Sequence, residues 1–247
     1  MLTRLKAKLR PSSTPKMQLR RSFSYFLRGS GIEIGALHQP LALDGLSISQ
    51  IQYVDRMAVN ELRRHYPELS AYKFVPVQVL DDGETLATFA DNSLDFIIAN
   101  HFIEHTRNPI GTLRNWLRKL KPDGIVYMAV PDKRRIFDVE RPLTPLAHLV
   151  EDDAQSPSDR EQRDFEHYLE YARLVDKQIG AQAEPHAQRL VATDYSIHFH
   201  TFVAATFIEL LRHAQERLAL PFEILAYADT VPGSDEFLVV LRKRLEA

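Results

Sequence analysis

Residues 91–132 read DNSLDFIIANHFIEHTRNPIGTLRNWLRKLKPDGIVYMAVPD, and the rhythm of this stretch decides the fold. Phe96-Ile97-Ile98-Ala99 and Ile125-Val126-Tyr127-Met128-Ala129-Val130 are short unbroken apolar runs, as in strands covered on both faces. Between them Asn108 is placed to cap a helix, and Pro109 suits its first turn. Ile110, Leu113, Leu117 and Leu120 then return at helical spacing, and Lys121-Pro122-Asp123-Gly124 predicts the turn that ends the helix. A strand, a crossover helix and a strand at this spacing make a βαβ unit, hence a parallel sheet. Such sheets bind ligands at the carboxyl ends of their strands. Chemistry is therefore expected at Asn100, His101, Glu104, His105, Pro131 and Asp132.

Working outward, the sequence predicts a first strand and loop over 32–46, a second strand over 51–54 and a short polar helix over 59–69, ending near Pro67. A third strand over 74–80 contains Pro76, which confines it to an edge or makes it a strand start. Asp81-Asp82-Gly83-Glu84-Thr85 reads as a turn into a short helix. Downstream, Phe202, Phe207, Leu210, Leu211, Ala214 and Leu218 mark an amphipathic helix, followed by strands over 222–227 and 236–241. Residues 138–194 break the rhythm with four prolines and a helical look around 159–178. Lying after the fifth strand, this segment is expected over the carboxyl edge of the sheet, as a lid on an acceptor pocket. The plainer alternative is a solvated helical excursion.

A chain of 247 residues accommodates one large α/β domain. No apolar run approaches the ~18 residues of a membrane helix. The absence of cysteine excludes disulfides, thiolate metal sites and cysteine nucleophiles, and agrees with a cytoplasmic location. Charge is uneven. Residues 1–30 carry eight Lys or Arg and no acid, so a net charge of −2 leaves the remainder ten charges negative. Residues 138–194 hold thirteen acids against six Lys or Arg, which makes contact between the two segments an expectation. The basic start reads as an arm over the site or a tail, as an anion-binding patch, or as a targeting segment. It lacks the apolar core of a signal peptide.

Taken together, several words of the sequence resemble class I S-adenosylmethionine-dependent methyltransferases. They are IEIGALHQPL (32–41), YVDRM (53–57), DDGETL (81–86), ANHFIEH (99–105), the helix end LRNWLRKLKPDG (113–124) and the strand end VPD (130–132). The wording is similar to a methyltransferase-11-like bacterial subgroup often met beside glycan or natural-product genes, over residues 31–137 and 195–243. The resemblance implies a Rossmann-like, doubly wound α/β sheet of seven strands, mostly parallel with the last strand antiparallel. Residues 31–247 would form the methyltransferase domain, with 1–30 as the arm and 138–194 as the lid. The implied cofactor is S-adenosylmethionine, with S-adenosylhomocysteine as product. By the same resemblance Gly35, Ala36 and Asn100 lie against its methionine part, and Glu33 supports the loop or the amino group. Asp55 accepts from the ribose hydroxyls, Asp81 or Asp82 meets the adenine amino group, and His38 and Arg56 lie beside them. Physical reasons accompany these assignments: small residues let backbone amides approach a ligand, and an acid ending the second strand suits a ribose. Of the family's three glycines only Gly35 is kept, and the G-x-G-x-x-G of a dinucleotide site is missing.

His101, Glu104 and His105 form an H-x-x-E-H string, also a zinc-peptidase spelling. A peptidase helix is long and regular, whereas this turn meets Asn108-Pro109 almost at once, so that reading is set aside. Some members of the resembled class carry a metal on a similar motif, which makes His101, Glu104 and His105 metal candidates, although no metal is the primary expectation. Methyl transfer to a hydroxyl calls for in-line geometry and a base, for which His101, His198 and His200 are the candidates. Alternation in an extended HFH segment predicts that His198 and His200 share a face. Lys133, Arg134 and Arg135 are candidates for an anionic group on the acceptor. The reading is a methyltransferase acting on an oxygen, in preference to a nitrogen, of a small molecule or glycan intermediate. A non-catalytic S-adenosylmethionine-binding protein and another nucleotide-binding enzyme of Rossmann type are the alternatives. A nucleic-acid substrate is disfavoured by the acidic body of the chain. The sequence does not specify an oligomeric state.

Overall fold

The computed structural model describes residues 14–245, so Arg4, Lys6, Lys8 and Arg10 of the basic arm lie outside the described residues. In chain order come α1 (Pro15–Ser24), β1 (Gly29–Ile34), β2 (Ile48–Asp55), α2 (Val59–His65), β3 (Val79–Leu80), β4 (Leu94–Asn100), α3 (Pro109–Lys119) and β5 (Leu120–Pro131). They are followed by α4 (Leu146–Ala154), α5 (Pro157–Leu174), α6 (Ala183–Ala192), α7 (Ala204–Glu216), β6 (Phe222–Ala228) and β7 (Glu236–Lys243). The seven strands form one sheet in the order β3-β2-β1-β4-β5-β7-β6. Its β1–β5 pairs are parallel, and β7 runs antiparallel between β5 and β6, as the sequence predicts.

Alternation along the central strands divides the core in two. Ile97 and Ala99 of β4, with Val126, Met128 and Val130 of β5, face a layer built by α3 and α7, where Ile110, Leu113, Trp116, Phe207 and Leu211 are buried. Phe96, Ile98, Tyr127 and Ala129 face the other way, onto Leu27 and the α1 side chains Leu19 and Phe23. A smaller third cluster joins α5 and α6 to Ile197 and Phe199. The α3 cap forms as read, with the Asn108 side chain accepting from the Gly111 amide at 2.7 Å.

Four details differ from the reading. The third strand shrinks to Val79–Leu80, because residues 74–78 leave the ladder: the Val75 amide donates instead to the Leu37 carbonyl. No helix follows Asp81-Asp82; the chain passes through turns, with Leu86 at φ +48°. Lys121–Gly124 does not separate helix from strand. Leu120 already pairs with Leu94, and the four residues bulge before Ile125 pairs with Phe96. The segment 138–194 holds three helices rather than one, since Pro157 starts α5 at a position that needs no amide donor.

Among the described residues, the arm and the acidic segment form ion pairs with other partners. Lys16 and Arg20 of α1 pair with Asp235 and Glu236 at the start of β7. The acids of 138–194 instead hold arginines of the sheet domain: Asp164 and Asp194 bind Arg107, Asp194 also binds Arg56, and Asp153 binds Arg114. Among the described residues no helix is long and apolar enough to cross a membrane.

Trp116 is fully buried and its indole donates to the Gly83 carbonyl at 2.7 Å, tying α3 to the turn after β3. Trp116→Ala is expected to cost ~3–5 kcal/mol through cavity formation and Trp116→Phe markedly less. Urea denaturation followed by circular dichroism checks both, and equal losses would show that the turn, not the ring's volume, carries the stability.

Candidate functional site

The carboxyl ends of β1, β2 and β4 open into a cavity of about 720 Å³, within the range of small-ligand sites. Its floor is the turn after β1, where Gly35 adopts φ +62° and Leu37 φ +48°. A side chain at Gly35 would be strained in that conformation, which accounts for the one retained glycine. Ala36 lines the cavity, and His38 stacks on Tyr72 with ring centroids 4.4 Å apart.

Glu33 is completely buried beneath this turn. Its carboxylate accepts from the Leu41 amide at 2.9 Å and from the Asn100 side chain at 3.1 Å, which ties β1 to the loop that follows it. Burial pushes it up to about 7 against those hydrogen bonds. Asp55 is pushed up to about 6, again chiefly by burial, with the backbone of Met57 and Arg56 as partners. The structure separates the two neighbouring acids. Asp81 turns into its own loop and accepts from the Ala87 and Thr88 amides, whereas Asp82 lines the cavity and accepts from Glu84. Arg56 also lines it, anchored on Asp194.

The H-x-x-E-H string does not act as one unit. His101 stands at φ +51°, and its Nε2 lies 2.7 Å from Glu236. Burial would raise the Glu236 carboxyl, but hydrogen bonds from His101 and Arg20 hold it below the usual range. Glu104 and His105 sit on a 3₁₀ turn and group with His198 rather than with His101. Burial raises the Glu104 carboxyl well above its ordinary value and lowers His105 to about 3. The three sequence candidates for a metal are thus divided between two clusters.

Of the candidate bases, His101 lines the cavity. His198 lies behind it, held by Asp138 at 2.5 Å. His200 has no exposed surface and points into a separate cluster with His148, Asp152 and His167, so the HFH pair does not share a face. The chain bends at Phe199 and His200, and each imidazole stands beside its own buried carboxylate, Asp138 for His198 and Asp152 for His200. Lys133, Arg134 and Arg135 also lie outside the cavity: Lys133 donates to the Val139 carbonyl and Arg134 binds Asp132. The cavity's cations are Lys16, Arg20, Arg56 and Arg107.

Residues 29–128 match the family model described as a methyltransferase domain. This part of the chain is a methyltransferase domain. Its domain type implies S-adenosylmethionine as methyl donor, and the sheet order supplies the expected scaffold. Three solved structures resemble the chain in fold. One is a putative methyltransferase from Bacillus halodurans, 12% identical, covering 94% of this chain and 100% of that one with a TM-score of 0.51. The second comes from a complex between the Haloferax volcanii Trm112 methyltransferase activator and a putative methyltransferase, 12% identical, covering 94% and 92% at 0.52. The third, from Rhodobacter sphaeroides, is named as a putative Zn-dependent alcohol dehydrogenase, 15% identical, covering 96% and 92% at 0.53. Identities this low show the fold alone. The chain spans half the length of another match, the CurJ carbon methyltransferase. No curated protein matches the chain.

Sequence reading missed much of the cavity wall. Arg107, Tyr168, Tyr195, Ser196 and Phe199 line it, Tyr168 from α5 and three of them from the stretch after α6. Arg107 stands 4.8 Å over the Phe199 ring, a contact between residues far apart in sequence. Only the adjacency of Arg107 to the crest motif was a local signal.

The raised Asp55 fixes a sign for pH dependence. The folded state holds this proton more tightly than the unfolded chain, where aspartate titrates near ~3.9. Stability contributed by Asp55 is fully present below about pH 4 and is lost as pH rises through about 6. Asp55→Asn is expected to stabilise the ligand-free protein by on the order of 1–2 kcal/mol at pH 8, allowing for partial exposure, with the gap closing towards pH 4.5. Urea midpoints at the two pH values test this, and a gap that widened on acidification would contradict burial as the cause.

Proposed function

We propose that the methyltransferase binds S-adenosylmethionine in the cavity above Gly35 and transfers its methyl group to an oxygen, in preference to a nitrogen, of a small molecule or glycan-type intermediate. The observation that carries this reading is the set of acceptors gathered at one sheet edge: Asp55, Asp82 and the Asn100 amide oxygen. Asn100 Oδ1 is buried with no hydrogen-bond partner, and Asp55 and Asp82 are engaged mainly by neighbouring backbone amides. Unsatisfied acceptors at such a place suit a ligand that brings hydroxyl, amino and ammonium donors. Asp55 would take the ribose hydroxyls, Asp82 the adenine amino group, and Asn100 with the Gly35–Ala36 turn the methionine part. Glu33 holds that turn from below, and Arg56 and His38 flank it.

The cofactor supplies an electrophilic methyl on a sulfonium. The chain's own residues then have to orient the acceptor and remove its proton. We assign the second task to His101. Because the Glu236 carboxylate only accepts, their hydrogen bond uses a proton on His101 Nε2, which leaves Nδ1 as the ring atom that would take the acceptor's proton. His198 and His200 stand back from the cavity in supporting positions. Tyr66, Tyr168, Tyr195 and Phe199 offer ring faces on which a planar or sugar-like acceptor stacks. In this reading residues 138–194 act as the lid, and α1 covers the site from the opposite side through Lys16 and Arg20.

Calorimetry with S-adenosylmethionine and S-adenosylhomocysteine tests the cofactor assignment. Wild type is expected to bind both, and Asp55→Ala to lose roughly tenfold or more in affinity. A folded protein that binds neither would sink the proposal. For the base, His101→Gln is expected to lower kcat by about 10²–10⁴ with S-adenosylhomocysteine affinity unchanged, in a labelled-methyl assay over hydroxyl- and amine-bearing acceptors. Undiminished turnover would remove His101 from the mechanism.

A further inference from the structure

Behind the cavity wall, four side chains from three separate parts of the chain converge. His148 and Asp152 lie one turn apart on α4, His167 comes from α5, and His200 from the segment before α7. Asp152, His167 and His200 are buried, with relative exposures of 2%, 8% and 0%, while His148 reaches towards the surface. None of the four lines the methyl-transfer cavity.

Hydrogen bonding does not account for this group. Both Asp152 oxygens and both His200 ring nitrogens are buried without a hydrogen bond of normal geometry. Leaving such groups unmade is costly, more so for a carboxylate. Arg163 approaches Asp152 Oδ1 at 3.2 Å, which leaves Oδ2 facing inward. There Asp152 Oδ2 lies 3.3 Å from His148 Nε2 and 3.7 Å from His200 Nε2, and His148 Nε2 lies 3.2 Å from His167 Nε2. A tetrahedral ion with bonds of about 2.0–2.1 Å spaces its ligand atoms by roughly 3.3 Å. The ring planes of the three histidines stand nearly perpendicular, at 76°, 77° and 84°, so the imidazoles converge edge-on instead of stacking. Outer partners are present as well: the Arg107 backbone lies against His200, the Phe199 backbone against His167, and Arg163 against Asp152.

We propose that His148, Asp152, His167 and His200 bind one divalent transition-metal ion, zinc in first place, as a closed three-histidine, one-carboxylate site. Nitrogen and carboxylate donors in tetrahedral spacing are the preference of zinc, and four protein ligands leave no position for substrate. The role is structural. The ion pins α4, α5 and the 198–202 segment together, and two of its ligands adjoin cavity residues, His167 beside Tyr168 and His200 beside Phe199. The half-exposed His148 provides the route of entry.

The test uses the full chain, stripped with EDTA and titrated with zinc chloride, with metal content read by mass spectrometry and cobalt(II) as a spectroscopic substitute. The expected result is about one zinc per chain, a raised Tm on loading, and the intense visible bands of four-coordinate cobalt. His148→Asn/Asp152→Asn should weaken zinc binding by roughly 100-fold or more with circular dichroism unchanged, while His105→Asn, in the neighbouring cluster, leaves it intact. Wild-type protein that shows no saturable one-to-one binding overturns the proposal. So does a stoichiometric site that survives the double substitution, or one that His105→Asn abolishes. Should the double variant fail to fold, the wild-type cobalt spectrum decides by itself, since octahedral weak bands would exclude the closed site.

Discussion

A carboxylate taken out of water must be answered by a cation, by hydrogen bonds or by a proton. Six acids with relative exposures of 2% or less organise this molecule: Glu33, Glu104, Asp132, Asp138, Asp152 and Glu236. Glu236 opens β7 and receives Arg20, Lys16 and His101, so the charge at one strand end docks α1 and orients the crest imidazole together. Asp138 receives Arg141 and His198, and the same guanidinium donates to the His198 and Phe199 carbonyls. That single arginine fixes the path of the segment that leads into α7. Asp132 is held by Arg134 and Thr230 at the end of β5.

The acids left without full answers mark the places with work to do. Glu33 ties down the turn after β1 with its pKa raised by burial. Asp55 is desolvated with backbone partners, and Asp152 faces three imidazoles with an oxygen to spare. Glu104 stays buried with neither oxygen hydrogen-bonded, and its raised pKa is the simplest way to remove its charge. Perturbed carboxylates gather where binding or catalysis is expected, and here they follow the carboxyl edge of the sheet and the wall above it.

That wall is attached electrostatically more than by sequence neighbourhood. Arg56, Arg107 and Arg114 reach from the sheet domain to Asp194, Asp164 and Asp153. Pairs of this kind, half exposed, contribute little each. Their effect is positional: they set where Tyr168, Tyr195 and Phe199 stand over the cavity.

The sequence by itself determined the βαβ centre, the helix capped at Asn108, the antiparallel last strand, and the placement of Glu33, Gly35, Asp55 and Asn100 at strand ends. These are local matters: periodicity, capping and turn chemistry act over a few residues, and a strand's end follows from its length. It misjudged the third strand at Pro76, where the lost amide donor ends pairing with β2 almost at once. Only the tertiary structure decided that Asp82 and not Asp81 faces the cavity, that His101 parts from Glu104 and His105, and that His198 and His200 diverge. Each outcome depends on partners 36 to 135 positions away, as with Glu236 for His101, and no local pattern encodes which of several buried acids an imidazole will meet. Convergence is set by packing, because the cheapest arrangement of desolvated charges is a property of the whole folded chain.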